Sequence, residues 1–232
     1  MLTEIKVGPP VLTINQGSTF MVTNECGEID PRQEHGVFAK DTRFLSAYRF
    51  TINGQRWDLH SSAQISYYSA SMHFTNPPLI TAEGELGPRQ IWLTLTRTVG
   101  DGIHEDFAIV NYSRTPVRLF FELELRSDFA DLFDVKRHVL VRRGVLSSEW
   151  VPAAGASQLI TTYRHQDFER SVIYKVLRHT TPPTFTNGQL VFELRLAPGE
   201  QWRTCGYIIP VYDGRQHEPI YPCHQVTAGN TP

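Results

Sequence analysis

The sequence predicts an all-β protein folded as an antiparallel β-sandwich, and three observations carry that expectation. Apolar residues recur at every second position through much of the chain, which is the spacing that lines one face of a strand. Turn-forming residues interrupt these runs at short intervals, as tight antiparallel connections require. No stretch of ten or more residues shows amphipathic helical spacing that a strand does not explain better. A parallel α/β sheet is thereby disfavoured, because its crossovers need helices.

Taken in order, 44–52 and 55–59 flank Asn53-Gly54, the dipeptide that most strongly signals a two-residue hairpin. Ile91, Leu93 and Leu95 share one face of the run 91–99, and Gly100-Asp101-Gly102 turns it into 103–111. In 117–125, Val117, Leu119, Phe121, Leu123 and Leu125 fall on one side, with Arg118, Phe120, Glu122 and Glu124 on the other. A helix would scatter these apolar groups around its circumference. Val172-Tyr174-Val176 and Leu190-Phe192-Leu194-Leu196 repeat the pattern, and 113–116, Pro182-Pro183, Asn187-Gly188 and Pro198-Gly199 break it. About a dozen short strands result, expected in one sandwich domain over 1–211. From Tyr212 to Pro232 the pattern dissolves into prolines, histidines and polar residues, predicting a linker or frayed end.

Composition bounds the function. The chain has 232 residues, 22 basic and 24 acidic side chains and a formal net charge of −2. A chain of this length buries roughly 70–75% of its unfolded surface without staples. Near-neutral charge argues against a nucleic-acid partner, which calls for a basic face. No apolar run approaches the ~18 residues of a membrane span, and the start MLTEIKVGPP lacks the pattern of a secretory leader. A cytoplasmic location is expected. Cys26, Cys205 and Cys223 are widely spaced, with no C-x-x-C pair. They read as plain thiols, with no metal and no cofactor expected, although a Cys205–Cys223 disulfide is open in an oxidising medium.

Charges embedded in apolar runs mark two segments: 36–45, with Asp41 and Arg43, and 128–136, with Asp128, Asp131, Phe133 and Asp134. The order G-x-F-x-x-D-T-R-F-L at 36–45, N-G at 53–54, R-x-x-x-D-G ending at Gly102, His104-Glu105 with Asn111-Tyr112, and D-F-A-D-L-F-D-V-K at 128–136 resembles the N-terminal domain of bacterial-type glycogen debranching enzymes, the amylo-α-1,6-glucosidase group. The resemblance runs from about Phe20 to Pro210. It implies a sandwich of the supersandwich type placed before an (α/α)6 glucosidase barrel that carries the catalytic carboxylates. Because the sequence ends where that barrel is expected, hydrolysis is not carried over. The implied partners are the barrel, in cis or in trans, and an α-glucan; the 128–136 loop is expected at the junction with the barrel, with self-association as its other cover.

The residues can also be read on their own. On a strand, Asp41 and Arg43 would share a face, with Thr42 opposite. A charge that close to a core needs a counter-ion, so Arg43 is expected to pair with Asp128 or Asp131, while contact with a partner domain or a sugar stays open. Asp128, Asp131 and Asp134 lack the alternate ligand spacing and sharp Gly turn of a calcium loop. His104 and Glu105 are adjacent and would face opposite sides of a strand, so they cannot converge as an acid/base pair. No G-x-S-x-G elbow occurs. No residue is therefore named as catalytic. Trp57 and Trp92 are the candidates for stacking on a sugar, Trp92 because it alternates away from Ile91, Leu93 and Leu95. The leading expectation is a non-catalytic accessory domain that packs on the barrel and shapes a glucan-binding cleft. A free-standing carbohydrate-binding module and a small sugar-active sandwich enzyme are the alternatives.

Overall fold

The computed structural model describes residues 9–139, 143–178 and 182–223. The chain opens with β1 (Val11–Gln16), β2 (Thr19–Asn24), β3 (Gly36–Ala39), β4 (Thr42–Leu45), β5 (Ala47–Ile52) and β6 (Gln55–Arg56). Next come β7 (Asp58–Ser66), β8 (Ser69–Thr75), β9 (Leu79–Thr81), β10 (Gly84–Leu86), β11 (Ile91–Val99), β12 (Ile103–Asn111) and β13 (Val117–Arg126). A short helix, α1 (Leu132–Arg137), precedes β14 (Val145–Val151), β15 (Ala156–His165) and β16 (Phe168–Leu177). The last strands are β17 (Thr184–Thr186), β18 (Gln189–Leu196), β19 (Gln201–Tyr212) and β20 (Arg215–Gln216).

Two sheets form the sandwich expected from the sequence. The larger runs β14-β15-β16-β19-β12-β11-β8-β7, with β20 added on β19, and the smaller runs β17-β18-β13-β5-β6. A four-stranded sheet, β1-β2-β3-β4, and a β9-β10 ribbon complete the fold. Every ladder is antiparallel.

Aromatic side chains from the two facing surfaces lock the large and small sheets together. Phe74 and Phe107 of the large sheet meet Phe50 and Phe121 of the small one, with Phe50–Phe74 and Phe107–Phe121 centroids both 5.2 Å apart. Trp202 of β19 stands edge-on to Phe192 of β18 at 5.2 Å. Such pairs contribute about 0.5–1.5 kcal/mol each beyond simple burial. In β13 Val117, Leu119, Phe121 and Leu123 of the predicted face are buried and Leu125 is half-buried, while Phe120 on the other face is exposed.

The turns follow their sequence signals. Ile52 pairs with Gln55 across Asn53-Gly54, both at positive φ (49° and 73°), giving the type I′ hairpin whose twist matches the strands. Gly100-Asp101-Gly102 joins Val99 to Ile103. Three boundaries differ from expectation. The run 44–52 divides at Ser46, where the chain leaves the four-stranded sheet for the small one, and 55–59 divides at Trp57, where it crosses to the large one. All four residues of β4 are buried, so alternation has no solvent face by which to mark the change of partner. The stretch assigned to a linker from 212 onward instead holds to the sheet as far as Cys223. Tyr212 pairs with Arg215, the Tyr221 ring stacks on Tyr68 at 5.2 Å, and Tyr221 Oη donates to Gln16. Residues 224–232 of that predicted tail lie outside the described residues. Among the described residues, no helix is long and apolar enough to cross a membrane.

Candidate functional site

The first predicted segment is built around Arg43. β3 and β4 are joined by Lys40-Asp41, both at positive φ (46° and 59°), with Ala39 opposite Thr42. Asp41 therefore sits in the turn, not on the strand face it was expected to share with Arg43. Its carbonyl accepts from Leu132 N at 2.8 Å, while Arg43 N donates to Ala130 O at 2.9 Å, so 130–132 runs beside β4. This places the Arg43 side chain, 1% exposed, against Asp128. Arg43 Nε donates to Asp128 Oδ1 at 3.2 Å, and Nη2 bonds Oδ2 in a second, parallel contact. Nη1 donates to the carbonyls of His35 (3.2 Å) and Gln33 (3.4 Å). Gly36 makes room, since a Cβ there would lie 2.6 Å from Arg43 Cδ. Of the two partners expected for Arg43, the structure selects Asp128.

Asp131 has a different task. Its carboxylate caps α1 by accepting from Phe133 N at 2.8 Å, and His138 closes the helix in the left-handed conformation. Val135 and Leu132 pack on Phe38, Phe20 and Val22 of the four-stranded sheet. Asp134 lies in the first turn, where its charge suits the helix dipole, and its carbonyl accepts from Val139 N. Phe133 points away and is 63% exposed. Beside the helix lies a groove of about 450 Å³, lined by Val11, Phe20, Val22, Phe38, Leu132 and Val135 among others.

Two further constellations escaped the sequence reading. Inside the sandwich, Arg97 Nε donates to Glu105 Oε1 at 2.6 Å, and Tyr48 Oη donates to Glu105 Oε2 at 2.9 Å. Tyr174 Oη reaches the same oxygen at 3.3 Å, and the Arg97 guanidinium also bonds Gly27 O and lies 4.7 Å above the Tyr48 ring. Gly206, opposite Glu105 in the ladder, admits Tyr174, because a Cβ there would lie 2.5 Å from Tyr174 Oη. Burial, and then the Glu105 charge, push the Tyr48 phenol well above its ordinary pKa. Burial opposes the Arg97 charge, but Glu105 and Tyr48 outweigh it and hold the guanidinium above its usual value.

The other constellation lies on the open face of the same sheet. Glu105 points inward and His104 outward, as expected of neighbours on a strand. His104 and Asp106, two apart, share the outer face, and the register brings Cys205 opposite Asp106 and Tyr207 opposite His104. His104 Nε2 lies 3.0 Å from Cys205 Sγ and 3.2 Å from Asp106 Oδ2. Cys223 arrives from the C-terminal return, its N–H donating to Tyr207 Oη at 2.9 Å and its Sγ 3.9 Å from Asp106 Oδ1. The three thiols are free, and the fold gathers Cys205 and Cys223, far apart in sequence, with a histidine and a carboxylate. The four are scattered over 104–223 and match no linear motif. The available signal was the i, i+2 spacing of His104 and Asp106. Burial raises the Cys205 thiol far above its ordinary value, with Cys223 and Asp106 adding to it, and burial also raises Cys223. A cavity of about 500 Å³ opens over this face, lined in part by Thr94, Thr96, Asp106, Arg178 and Arg203.

The two tryptophans separate. Trp57 is 7% exposed and belongs to the core, so it offers no ring face to a sugar and that expectation is corrected. Its place at the crossing between sheets explains the burial. Trp92 lies on the outer face opposite Thr75 and Val110, half-buried, with His60 at 5.1 Å and the exposed Tyr112 at 6.3 Å.

The fold and these faces define an antiparallel sandwich with a braced interior and a polar outer surface. The model of the N-terminal domain of (some) glycogen debranching enzymes matches residues 14–206. The chain belongs to that family. No curated protein matches it. Among solved structures it is similar to a galactose mutarotase-like protein from Lactobacillus casei, at 9% identity and a TM-score of 0.48, over 87% of this chain and 100% of that one. It is also similar to a galactose mutarotase related enzyme from Lactobacillus acidophilus, at 9% identity and a TM-score of 0.43, over 90% and 99% of the two chains.

Proposed function

We propose that this chain acts as a non-catalytic domain of a glycogen debranching enzyme, docking on an (α/α)6 glucosidase barrel and helping to shape an α-glucan cleft. The observation that carries this reading is α1: Phe133 is 63% exposed on a helix whose base is held by the Arg43–Asp128 pair. An exposed aromatic ring on a helix packed against the four-stranded sheet has the character of an interface anchor. The membership of the chain in a family of N-terminal domains of such enzymes supports the barrel as occupant. Asp41, Asp131 and Asp134 lie around the same helix and would form the polar rim of that contact.

The test is co-purification with the barrel encoded in the same reading frame or its neighbour. The Phe133→Asp variant should weaken the association while leaving the domain folded. Unchanged association would overturn α1 as the docking element. Titration of the chain alone with glycogen and maltooligosaccharides should give no binding. Millimolar or tighter binding would instead support a carbohydrate-binding module, a reading that the Trp92–Tyr112–His60 group on the outer face favours. Turnover of a branched glucan by the chain alone, abolished by one carboxylate substitution, would overturn both.

A further inference from the structure

We propose that His104, Asp106, Cys205 and Cys223 form a zinc site that fastens the C-terminal return of the domain to the central strands of the large sheet. Their ligand atoms all lie within 4.8 Å of one another, and this is the one such group of three or more His, Cys, Asp and Glu among the described residues. With zinc bonds of ~2.0–2.3 Å, the edges of a tetrahedron of these donors measure about 3.3–3.8 Å. The separations of 3.0, 3.2 and 3.9 Å lie close to that range and the outer limit of 4.8 Å exceeds it by about 1 Å, so side-chain shifts of about 1 Å close the polyhedron.

The donor set selects the ion. Two sulfurs and an imidazole disfavour magnesium and calcium, which take oxygen, and suit zinc. Four protein ligands leave no open position, which marks a structural site. Binding displaces one proton from each thiol to solvent, His104 coordinates as the neutral ring through Nε2, and no atom changes oxidation state. Two thiolates and a carboxylate leave one net negative charge on the complex, and Arg178 lines the cavity alongside. The backbone is already set for the fourth ligand, since Tyr207, opposite His104, holds the Cys223 N–H. A Cys205–Cys223 disulfide would use the two sulfurs but would give the convergence of His104 and Asp106 no role.

The experiment uses the untagged full chain, purified under reductant and equilibrated with zinc chloride in the presence of a competing chelator, with zinc measured by mass spectrometry. One zinc per chain is expected, and cobalt in its place should show a thiolate-to-metal charge-transfer band. Cys223→Ser, shown to be folded by circular dichroism, should weaken zinc affinity by at least ~100-fold, more than loss of a supporting residue does. Asp106→Asn, on the half-exposed side of the cluster, should also lower it and serves if the cysteine variant does not fold. Cys26→Ser, at a separate thiol, should leave it unchanged. Substoichiometric zinc, a Cys223→Ser variant that binds as the parent does, or a Cys205–Cys223 disulfide persisting under reductant would each overturn the proposal.

Discussion

Replacing Arg43 with methionine removes the guanidinium but keeps much of the apolar stem, so it isolates the charge and its hydrogen bonds. Asp128, whose side chain is 11% exposed, would lose its counter-ion and two donors. The carbonyls of His35 and Gln33 would lose the Nη1 donor. Deleting one member of a buried pair costs about 3–5 kcal/mol, because the remaining charge is stranded. Asp128 keeps a bond from Ala130 N at 3.2 Å and some access to water, which places Arg43→Met near the lower end, ~3 kcal/mol. With a urea m-value toward the upper end of the usual ~1–3 kcal/mol/M, the midpoint should fall by about 1 M. Urea titrations followed by tryptophan fluorescence and circular dichroism supply that number. Asp128→Asn, which keeps the shape and drops the charge, should cost a similar ~3 kcal/mol, since the guanidinium, 2% exposed, is then the stranded charge. The double variant Arg43→Met/Asp128→Leu should recover at least half of the loss, since an apolar pair often replaces a buried ion pair without penalty. An Arg43→Met midpoint within ~0.2 M of the parent would refute the reasoning.

Three further outcomes follow from the same structure. Tyr48→Phe deletes the 2.9 Å donor to Glu105 and should cost about 2 kcal/mol, seen as a melting temperature lower by about 5 °C. Asp131→Ala removes the cap on α1 at a cost of ~1 kcal/mol, and amide exchange should quicken in 133–137 while the central strands keep their protection. Burial lowers the pKa of His35, with the Asp30 charge opposing it in part, and His35 Nδ1 accepts from Asp30 N at 3.3 Å. On acidification the unfolded chain takes up its proton first, near pH ~6.5. The His35 contribution is therefore complete above that value and is lost as the pH falls through it toward the lower folded value. Urea midpoints between about pH 7 and pH 5 should fall in the parent and fall less in His35→Gln.

What was legible in the sequence tracks what is local or periodic. The β13 face, the Asn53-Gly54 hairpin and the Gly100–Gly102 turn could all be read because each depends on neighbours within a few residues. Arg43 was traceable because a charge embedded in an apolar run demands a partner, and few carboxylates stand in a comparable setting. The short helix was not legible. Its six residues span too few turns to show a period, and the capping role of Asp131 looks in sequence like one more surface carboxylate. Trp57 was misplaced for a related reason: it sits between two short strands in different sheets, where alternation restarts and says nothing about which way a ring turns.

β12 shows why the rest of the site stayed hidden. Its residues His104, Glu105 and Asp106 alternate out, in and out, and beside the near partners Arg97 for Glu105 and Asp106 for His104, the groups that complete each set come from distant parts of the chain. Glu105 needs Tyr48 from 57 residues before it and Tyr174 from 69 residues after it. His104 needs Cys205, 101 residues away. Since the inward set braces the two sheets and the outward set gathers the C-terminal return, one strand couples interior stability to the polar face. Substitutions at Glu105 should therefore loosen β12 beneath the outer cluster, whereas substitutions at Cys223 should leave the inner network intact. Amide exchange across β12 and β19, compared between Glu105→Gln and Cys223→Ser, would expose that asymmetry.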